Sequence, residues 1–326
     1  VGRGTGADRV IVFGASGFIG TRLVRRLAGQ GVSVVAADIE PPRERLDGVD
    51  YRTVDVRAPI PVELGRGVGL IYNLAAVHRT PGHPDHEYYD CNVAGALTTA
   101  ALAEACGIDT IVFTSSISVY GPQETEVSEE SALTPTTAYG RSKRLAELVY
   151  LQWRRAAPGR RLVTVRPGVV FGPGERGNYT RLANALRGGY FAYPGRRDTI
   201  KSGGYVDELL RTFDYALGRE EPEILYNFAY PTLSTTADIV AAFGRITGKP
   251  RNPPTLPVAP LRLVAHGFEI ANALGLKNTI HRDRVMKLVL STRVKPGWLL
   301  ASGYAFATDL DAALADWSRE TNGRFD

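Results

Sequence analysis

The 326-residue chain has little lysine, cysteine or methionine, and it lacks any long apolar run. Its two cysteines, Cys91 and Cys106, are too few for a disulfide framework or a metal knuckle, which points to a reducing, cytoplasmic setting. No stretch approaches the roughly 18 apolar residues of a membrane span, and no secretory signal opens the chain. Val1 to Asp8 reads as a disordered leader. Lysine supplies only six of the 39 basic side chains, against 34 acidic ones, for a net charge of +5. The arginines are scattered in doublets (Arg25–Arg26, Arg154–Arg155, Arg160–Arg161) and form no stripe interleaved with aromatics. That pattern excludes a nucleic-acid partner. A hydrophobic fraction of 44% with 22% charged residues excludes disorder of the whole chain. The length fits two domains, or one large domain with a cap.

Short apolar runs alternate with helical patterns through the first half. Val10–Phe13, Val32–Ala37, Leu70–Leu74, Thr110–Thr114 and Leu162–Val165 read as buried strands. Ile19, Leu23 and Leu27 give one helix its apolar stripe, and Ala94–Ala105 and Tyr139–Arg155 read as two more. This is an α/β pattern, a Rossmann-type doubly wound parallel sheet. Past about Pro173 the rhythm changes. Tyr205–Leu217 reads as a helix and Leu225–Phe228 as a further strand, between Gly- and Pro-rich stretches. The expected division is residues 1–174 with roughly 204–230 as the nucleotide-binding domain, and 175–203 with 231–326 as a smaller C-terminal substrate-binding lobe.

Gly14, Ser16, Gly17, Phe18, Ile19 and Gly20 lie between the first strand and the first helix. There a helix N-terminus offers unpaired N–H groups to a pyrophosphate, and glycines allow close backbone approach. Asp38 ends the second strand, where a carboxylate accepts from the adenosine ribose and repels a 2′-phosphate. Ile39 follows it with no adjacent arginine, so NAD is the expected cofactor. Asp55 and Val56 are expected beside the adenine, and Leu74, Ala75 and Ala76 along the middle of the cofactor. His78, His83 and His86 fall within nine residues but show no metal spacing, and no metal is expected.

Three further blocks follow in order: Thr114-Ser115-Ser116-Ile117-Ser118-Val119-Tyr120-Gly121, Tyr139-Gly140-Arg141-Ser142-Lys143, and Arg166-Pro167-Gly168-Val169-Val170-Phe171-Gly172-Pro173. Together with the glycine motif, these resemble the extended short-chain dehydrogenase/reductase superfamily, in its NAD-dependent epimerase/dehydratase branch acting on nucleotide sugars. The resemblance runs from Val10 to about Trp317. It implies Ser116, Tyr139 and Lys143 as catalytic residues, and it adds Asn92 and Pro167 to the cofactor contacts. Tyr139 and Lys143 stand one helical turn apart. A cation about 4 Å from the phenol, at an effective dielectric near 20, would favour the phenolate by roughly 4 kcal/mol, or about three pKa units. Tyr139 would then take a proton from a sugar hydroxyl, with Ser116 holding the reacting oxygen.

The dehydratases of the branch carry Asp-Glu where Ile117 and Ser118 stand here, so water elimination is disfavoured. What remains is epimerisation, expected at C4, through a keto sugar and tightly bound NAD. The alternative is an NAD(P)H-dependent nucleotide-keto-sugar reductase. A hydroxysteroid- or flavonoid-type reductase and a non-catalytic NAD-binding sensor share parts of the pattern. For a nucleotide-diphosphate sugar, the candidate contacts are His78, Ser116, Asn178, Lys201 and Arg284, with Lys287 a turn from Arg284. A substrate-binding Asn of the family is replaced by Val169. The resemblance also implies a homodimer through the helices Ala94–Ala105 and Tyr139–Arg155.

Overall fold

The computed structural model describes residues 8–79, 82–259 and 289–326; all but Asp8 of the expected leader lies outside them. Seven strands form one wholly parallel sheet. In chain order they are β1 (Arg9–Phe13), β2 (Ser33–Asp38), β3 (Asp50–Thr53), β4 (Leu70–Asn73), β5 (Thr110–Thr114), β7 (Arg161–Pro167) and β11 (Glu223–Phe228). Their order across the sheet is β11-β7-β5-β4-β1-β2-β3, which reverses direction between β1 and β4. Such a switch point opens a crevice at the carboxyl ends of the strands, where ligands bind in doubly wound sheets. The strands lack polar alternation because both faces are covered.

One face carries α1 (Phe18–Gly29) and α5 (Val206–Leu217), whose Leu23, Leu27, Leu209 and Phe213 pack on Val10, Val12 and Tyr72. The other carries α2 (Asp85–Cys106) and α3 (Ala138–Arg155), whose Ala96, Ala103, Ala146 and Tyr150 pack on Ile11, Phe13 and Phe113. The helix expected at Ala94–Ala105 therefore starts nine residues earlier. Its added turns are polar outside and bury only Tyr88 and Asn92. The helix expected from Tyr205 starts at Val206, because Gly203–Tyr205 is a strand, β10.

The remaining strands pair in twos, outside the main sheet. β8 (Val169–Phe171) runs beside β10, β6 (Gln123–Val127) beside β13 (Thr292–Val294), and β9 (Tyr193–Pro194) beside β12 (Thr255–Leu256). Around β8, an aromatic cluster joins Phe171 to Tyr179 on α4 (Asn178–Gly188), to Phe243 on α6 (Thr236–Thr247) and to Trp317 on the C-terminal helix Leu310–Glu320. Phe171 and Tyr179 stack with ring centroids 4.3 Å apart. Arg22 of α1 joins Asp207 of α5 at 2.6 Å and reaches Glu320 of the C-terminal helix at 2.5 Å.

Candidate active site

Chain from the ends of β1, β2, β4, β5 and β7 converges at the crevice. Gly14 follows β1 with φ +78°, and a Cβ on it would lie 2.6 Å from the backbone nitrogen of Ala75. Only glycine can let the β1 turn lie against the segment after β4 in this way. A Cβ on Gly20 would meet the Gly14 carbonyl at 2.1 Å, so the first turn of α1 sits directly on the same loop. Gly17 caps α1 without a side-chain acceptor, and the first turn, with Phe18 and Ile19, holds no acidic residue. Its N–H groups are left to an anion. Asp38 accepts from the Ser16 N–H at 2.9 Å and the Glu40 N–H at 3.0 Å, while the Ser16 hydroxyl donates to the Glu40 carbonyl at 2.8 Å. Each Asp38 oxygen keeps acceptor capacity for a ribose hydroxyl. Ile39 beside it is exposed. A bare helix N-terminus, a cradle that a Cβ would fill and a free carboxylate edge together fit a dinucleotide.

Asp55 accepts from the Arg57 guanidinium at 2.7–3.0 Å, and these bonds hold its carboxyl below the usual range. Val56 is buried against Gly95 of α2. Asn73 ends β4 and accepts from the Ala75 N–H at 3.1 Å, turning Leu74, Ala75 and Ala76 along the crevice. Asn92, expected as a cofactor contact, lies between the loop after β4 and α3. It is buried, its oxygen accepts from the Val77 N–H, and its amide donates to the Val77 carbonyl and to Ser142 at 2.8 Å. With both ends of the amide engaged, Asn92 braces the loop after β4 against α3.

Ser116 caps a short turn, Ile117–Val119, its hydroxyl accepting from the Ser118 N–H at 3.1 Å. Thr137 caps α3 by accepting from the Gly140 N–H at 3.1 Å. A Cβ at Gly140 would lie 2.4 Å from the Ser118 carbonyl, so a glycine there is what lets the first turn of α3 press Tyr139 onto the Ser116 turn. Tyr139 interacts with the Ser116 hydroxyl and has the Tyr88 ring 6.3 Å away. Lys143 is 1% exposed; its ammonium donates to the Thr114 carbonyl at 2.9 Å and lies 4.9 Å from the Phe113 ring centre.

The structure thus gathers Ser116, Tyr139 and Lys143 as expected, but it reverses the expected electrostatics. Burial pushes the Tyr139 phenol above its ordinary value, and the Ser116 hydrogen bond only partly opposes this. Burial likewise drives Lys143 down to about 8, against the raising influence of Cys91 and Glu147. Desolvation penalises both charged forms, and it outweighs the simple cation–phenolate attraction inferred from helical spacing.

Pro167 ends β7 and is buried, its strand hydrogen-bonded between β5 and β11. His78 follows β4 near Lys143; burial of its ring, then that charge, holds it below the ordinary histidine value. Asn178 opens α4 exposed, its oxygen accepting from Arg181 at 2.9 Å. Lys201 donates to the Leu290 carbonyl at 2.6 Å and is brought to about 8 by burial. Arg284 and Lys287 lie outside the described residues. Among the described residues, no cluster of His, Cys, Asp or Glu could hold a metal. None of their helices is long and apolar enough to cross a membrane.

Sequence reasoning gave no role to a buried network beneath the site. Glu147 accepts from Ser115 at 2.6 Å and twice from Arg166 at 2.8 Å. Arg166 also donates to the Tyr120 hydroxyl at 2.8 Å, which donates to Asn227 at 2.9 Å. The signal was present: Glu147 follows Lys143 by four residues on the buried face of α3.

Residues 10–229 match the NAD dependent epimerase/dehydratase family. The chain is 29% identical over 315 residues to N-acetyl-alpha-D-glucosaminyl-diphospho-ditrans,octacis-undecaprenol 4-epimerase of Escherichia coli O157:H7, covering 94% of this chain and 93% of that one. It is 29% identical over 256 residues to UDP-glucose 4-epimerase 3 of Oryza sativa subsp. japonica, 72% of this chain and 63% of that one. Among solved structures, MoeE5 in complex with UDP-glucose and NAD superposes with a TM-score of 0.74 at 22% identity, covering 96% and 99% of the two chains. Parallel sheet, glycine cradle and matched sequence agree, and the chain belongs to the NAD dependent epimerase/dehydratase family.

Proposed function

We propose that the protein is an epimerase acting at C4 of a sugar carried on a diphosphate, with a nucleoside-diphosphate sugar as the substrate class. The observation that carries this reading is the joint placement of Ser116, Tyr139 and Lys143 beside a dinucleotide cradle, with Ile117 and Ser118 where elimination would need an acid and a base. The cofactor NAD supplies a hydride acceptor that can return the hydride to the sugar. Gly14, Gly17 and the first turn of α1 would hold its pyrophosphate, Asp38 its adenosine ribose, Ile39, Asp55 and Val56 its adenine end, and Leu74–Ala76 with Pro167 its middle and nicotinamide end.

Lys143 would donate to the nicotinamide ribose. Ser116 would donate to the reacting oxygen, and Tyr139 would accept the hydroxyl proton, then return it after the keto sugar has turned over. With Ile117 and Ser118 in place of a residue able to move a proton at neutral pH, loss of water from the keto sugar is disfavoured. Asn92 serves as a positioning residue. We place the substrate diphosphate toward residues 175–203 and 231–326, with Lys201, Arg284 and Lys287 as its candidate partners, and His78 and Asn178 as further substrate contacts.

A second reading has its own support. The relative that matches along 94% of this chain acts on a polyprenyl-diphosphate sugar. The diphosphate is common to both substrates, and the carrier differs. Offering UDP-N-acetylglucosamine, UDP-glucose and a polyprenyl-diphosphate N-acetylglucosamine in parallel separates them. Conversion of one epimer without net NADH is expected for one carrier. A keto sugar consumed only with stoichiometric NAD(P)H would make the protein a reductase.

The assembly proposed is a homodimer through α2 and α3, in a cytoplasmic setting. Leu97 on α2 is 55% exposed, and Leu145 and Leu148 on α3 are each 43% exposed. A second copy of the chain would cover them.

A further inference from the structure

We propose that Glu147 is a positioning residue for this site, its carboxylate holding the Ser116 turn in register through Ser115 and Arg166 and standing one helical turn from Lys143, whose charge it supports. The inference deepens the functional reading above and rests on it. Ser115 immediately precedes Ser116 and donates to Glu147 at 2.6 Å. Arg166 grips the same carboxylate with two bonds of 2.8 Å, and the pair is almost fully buried, with 3% and 6% of the side chains exposed. The third Arg166 contact, at 2.8 Å, goes to Tyr120, the last residue of the turn that Ser116 begins. The turn is therefore held at both ends by one buried ion pair.

The contacts continue outward. Tyr120 donates to Asn227 at the end of β11, and Asn227 donates to the Lys295 carbonyl at 3.1 Å. Glu129 accepts from the backbone of Asn227, Gly297 and Trp298 at 2.8–3.2 Å. The catalytic turn is thereby fixed to the segment after β13. A buried ion pair is a poor source of net stability, since desolvation offsets its Coulomb energy, and a hydrophobic pair could replace it. This one does what a hydrophobic pair could not: it lends hydrogen bonds to two positions of the turn and puts a carboxylate one helical turn from Lys143.

Electrostatics gives a signature that packing alone cannot imitate. The groups facing Lys143 are Cys91 from α2, His78 from the loop after β4, Glu147 from α3, and the Thr114 carbonyl and Phe113 ring from β5. Burial holds His78 below its ordinary range and Cys91 above its own, while burial brings Lys143 to about 8. Replacing Glu147 by Gln leaves the Arg166 charge unopposed and drives the ammonium to deprotonate earlier. Replacing Arg166 by Gln leaves the Glu147 charge less opposed and delays it. Glu147 then still has Arg144 at 3.3 Å.

The test is fluorescence titration of the full chain with NADH between pH 6.5 and 9.5. Wild type should bind with an affinity that falls above about pH 8. Glu147→Gln should move that fall about one pH unit lower, and Arg166→Gln should move it higher by a similar amount. Should one variant fail to fold, the direction of the other decides. If a folded variant keeps the wild-type fall, or both move the same way, Glu147 is only structural and the inference is overturned. Loss of NADH binding by the wild type itself would instead overturn the cofactor reading beneath it.

Discussion

At the scale of single residues, the structure separates what helical spacing implies from what burial imposes. The sequence blocks around Ser116, Tyr139 and Lys143 were legible because each is short and contiguous. The electrostatic state of these groups was not, because it depends on Phe113, Thr114 and Glu147, which only the fold brings against Lys143. Tyr139→Phe removes the proton acceptor and keeps the ring, so turnover is expected to fall at least 1,000-fold with NADH affinity kept within about threefold. Retained turnover would remove Tyr139 from the chemistry. For stability, the sign follows from the lowered Lys143 value. Below about pH 8 both folded and unfolded chains carry the proton, and folding bears the full cost of the buried charge. Between about 8 and the ordinary 10.5 the unfolded chain binds a proton that the folded one has lost, so stability gains from this residue as pH rises. The full span is worth about 3 kcal/mol at 1.36 kcal/mol per unit. Lys143→Met should abolish that gain, and leave the melting temperature at pH 7 equal or higher, while turnover is lost. Melting curves of the two proteins at pH 7 and pH 10 measure the difference.

At the scale of elements, strands were the most readable parts. β1, β4 and β5 are uninterrupted apolar runs because both sheet faces are covered, and their expected bounds shift by at most one residue. α2 was only half legible. It buries Gly95, Ala96, Thr99, Ala100 and Ala103, small residues with little polarity contrast, and its first turns are charged, so no apolar stripe announces its start. The Glu147–Arg166 network joins α3 to β7, and a contact between distant elements leaves no periodic trace. The β1 turn supports a sharp expectation. Gly14→Ala places a methyl 2.6 Å from the Ala75 nitrogen in a backbone region that L residues avoid. It should cost about 1–3 kcal/mol and weaken NADH binding at least 100-fold. Gly31→Ala, also at φ +78° but with open space around it, should pay the backbone strain and leave NADH affinity unchanged. Equal NADH affinity in the two variants would mean that close approach of the β1 turn is not what shapes the cofactor site.

At the scale of the whole molecule, the account joins a switch-point crevice, a dinucleotide cradle and a Ser-Tyr-Lys cluster into one catalytic centre. Oligomerisation belongs here too. Leu145→Glu combined with Leu148→Glu puts two charges on an exposed face of α3, and light scattering should show the proposed homodimer reduced to single chains with the fold intact. An unchanged mass would contradict the proposed interface. The small net charge has a local meaning only: few lysines are available, and one of them, Lys143, lies buried in the site. The most direct measurement of the central claim uses a diphosphate-linked sugar bearing deuterium at C4, incubated with the purified protein and NAD. The account predicts the C4 epimer with its deuterium retained and no net NADH, because the same hydride leaves and returns. Deuterium lost to solvent, or product formed only with stoichiometric reduced cofactor, would contradict it.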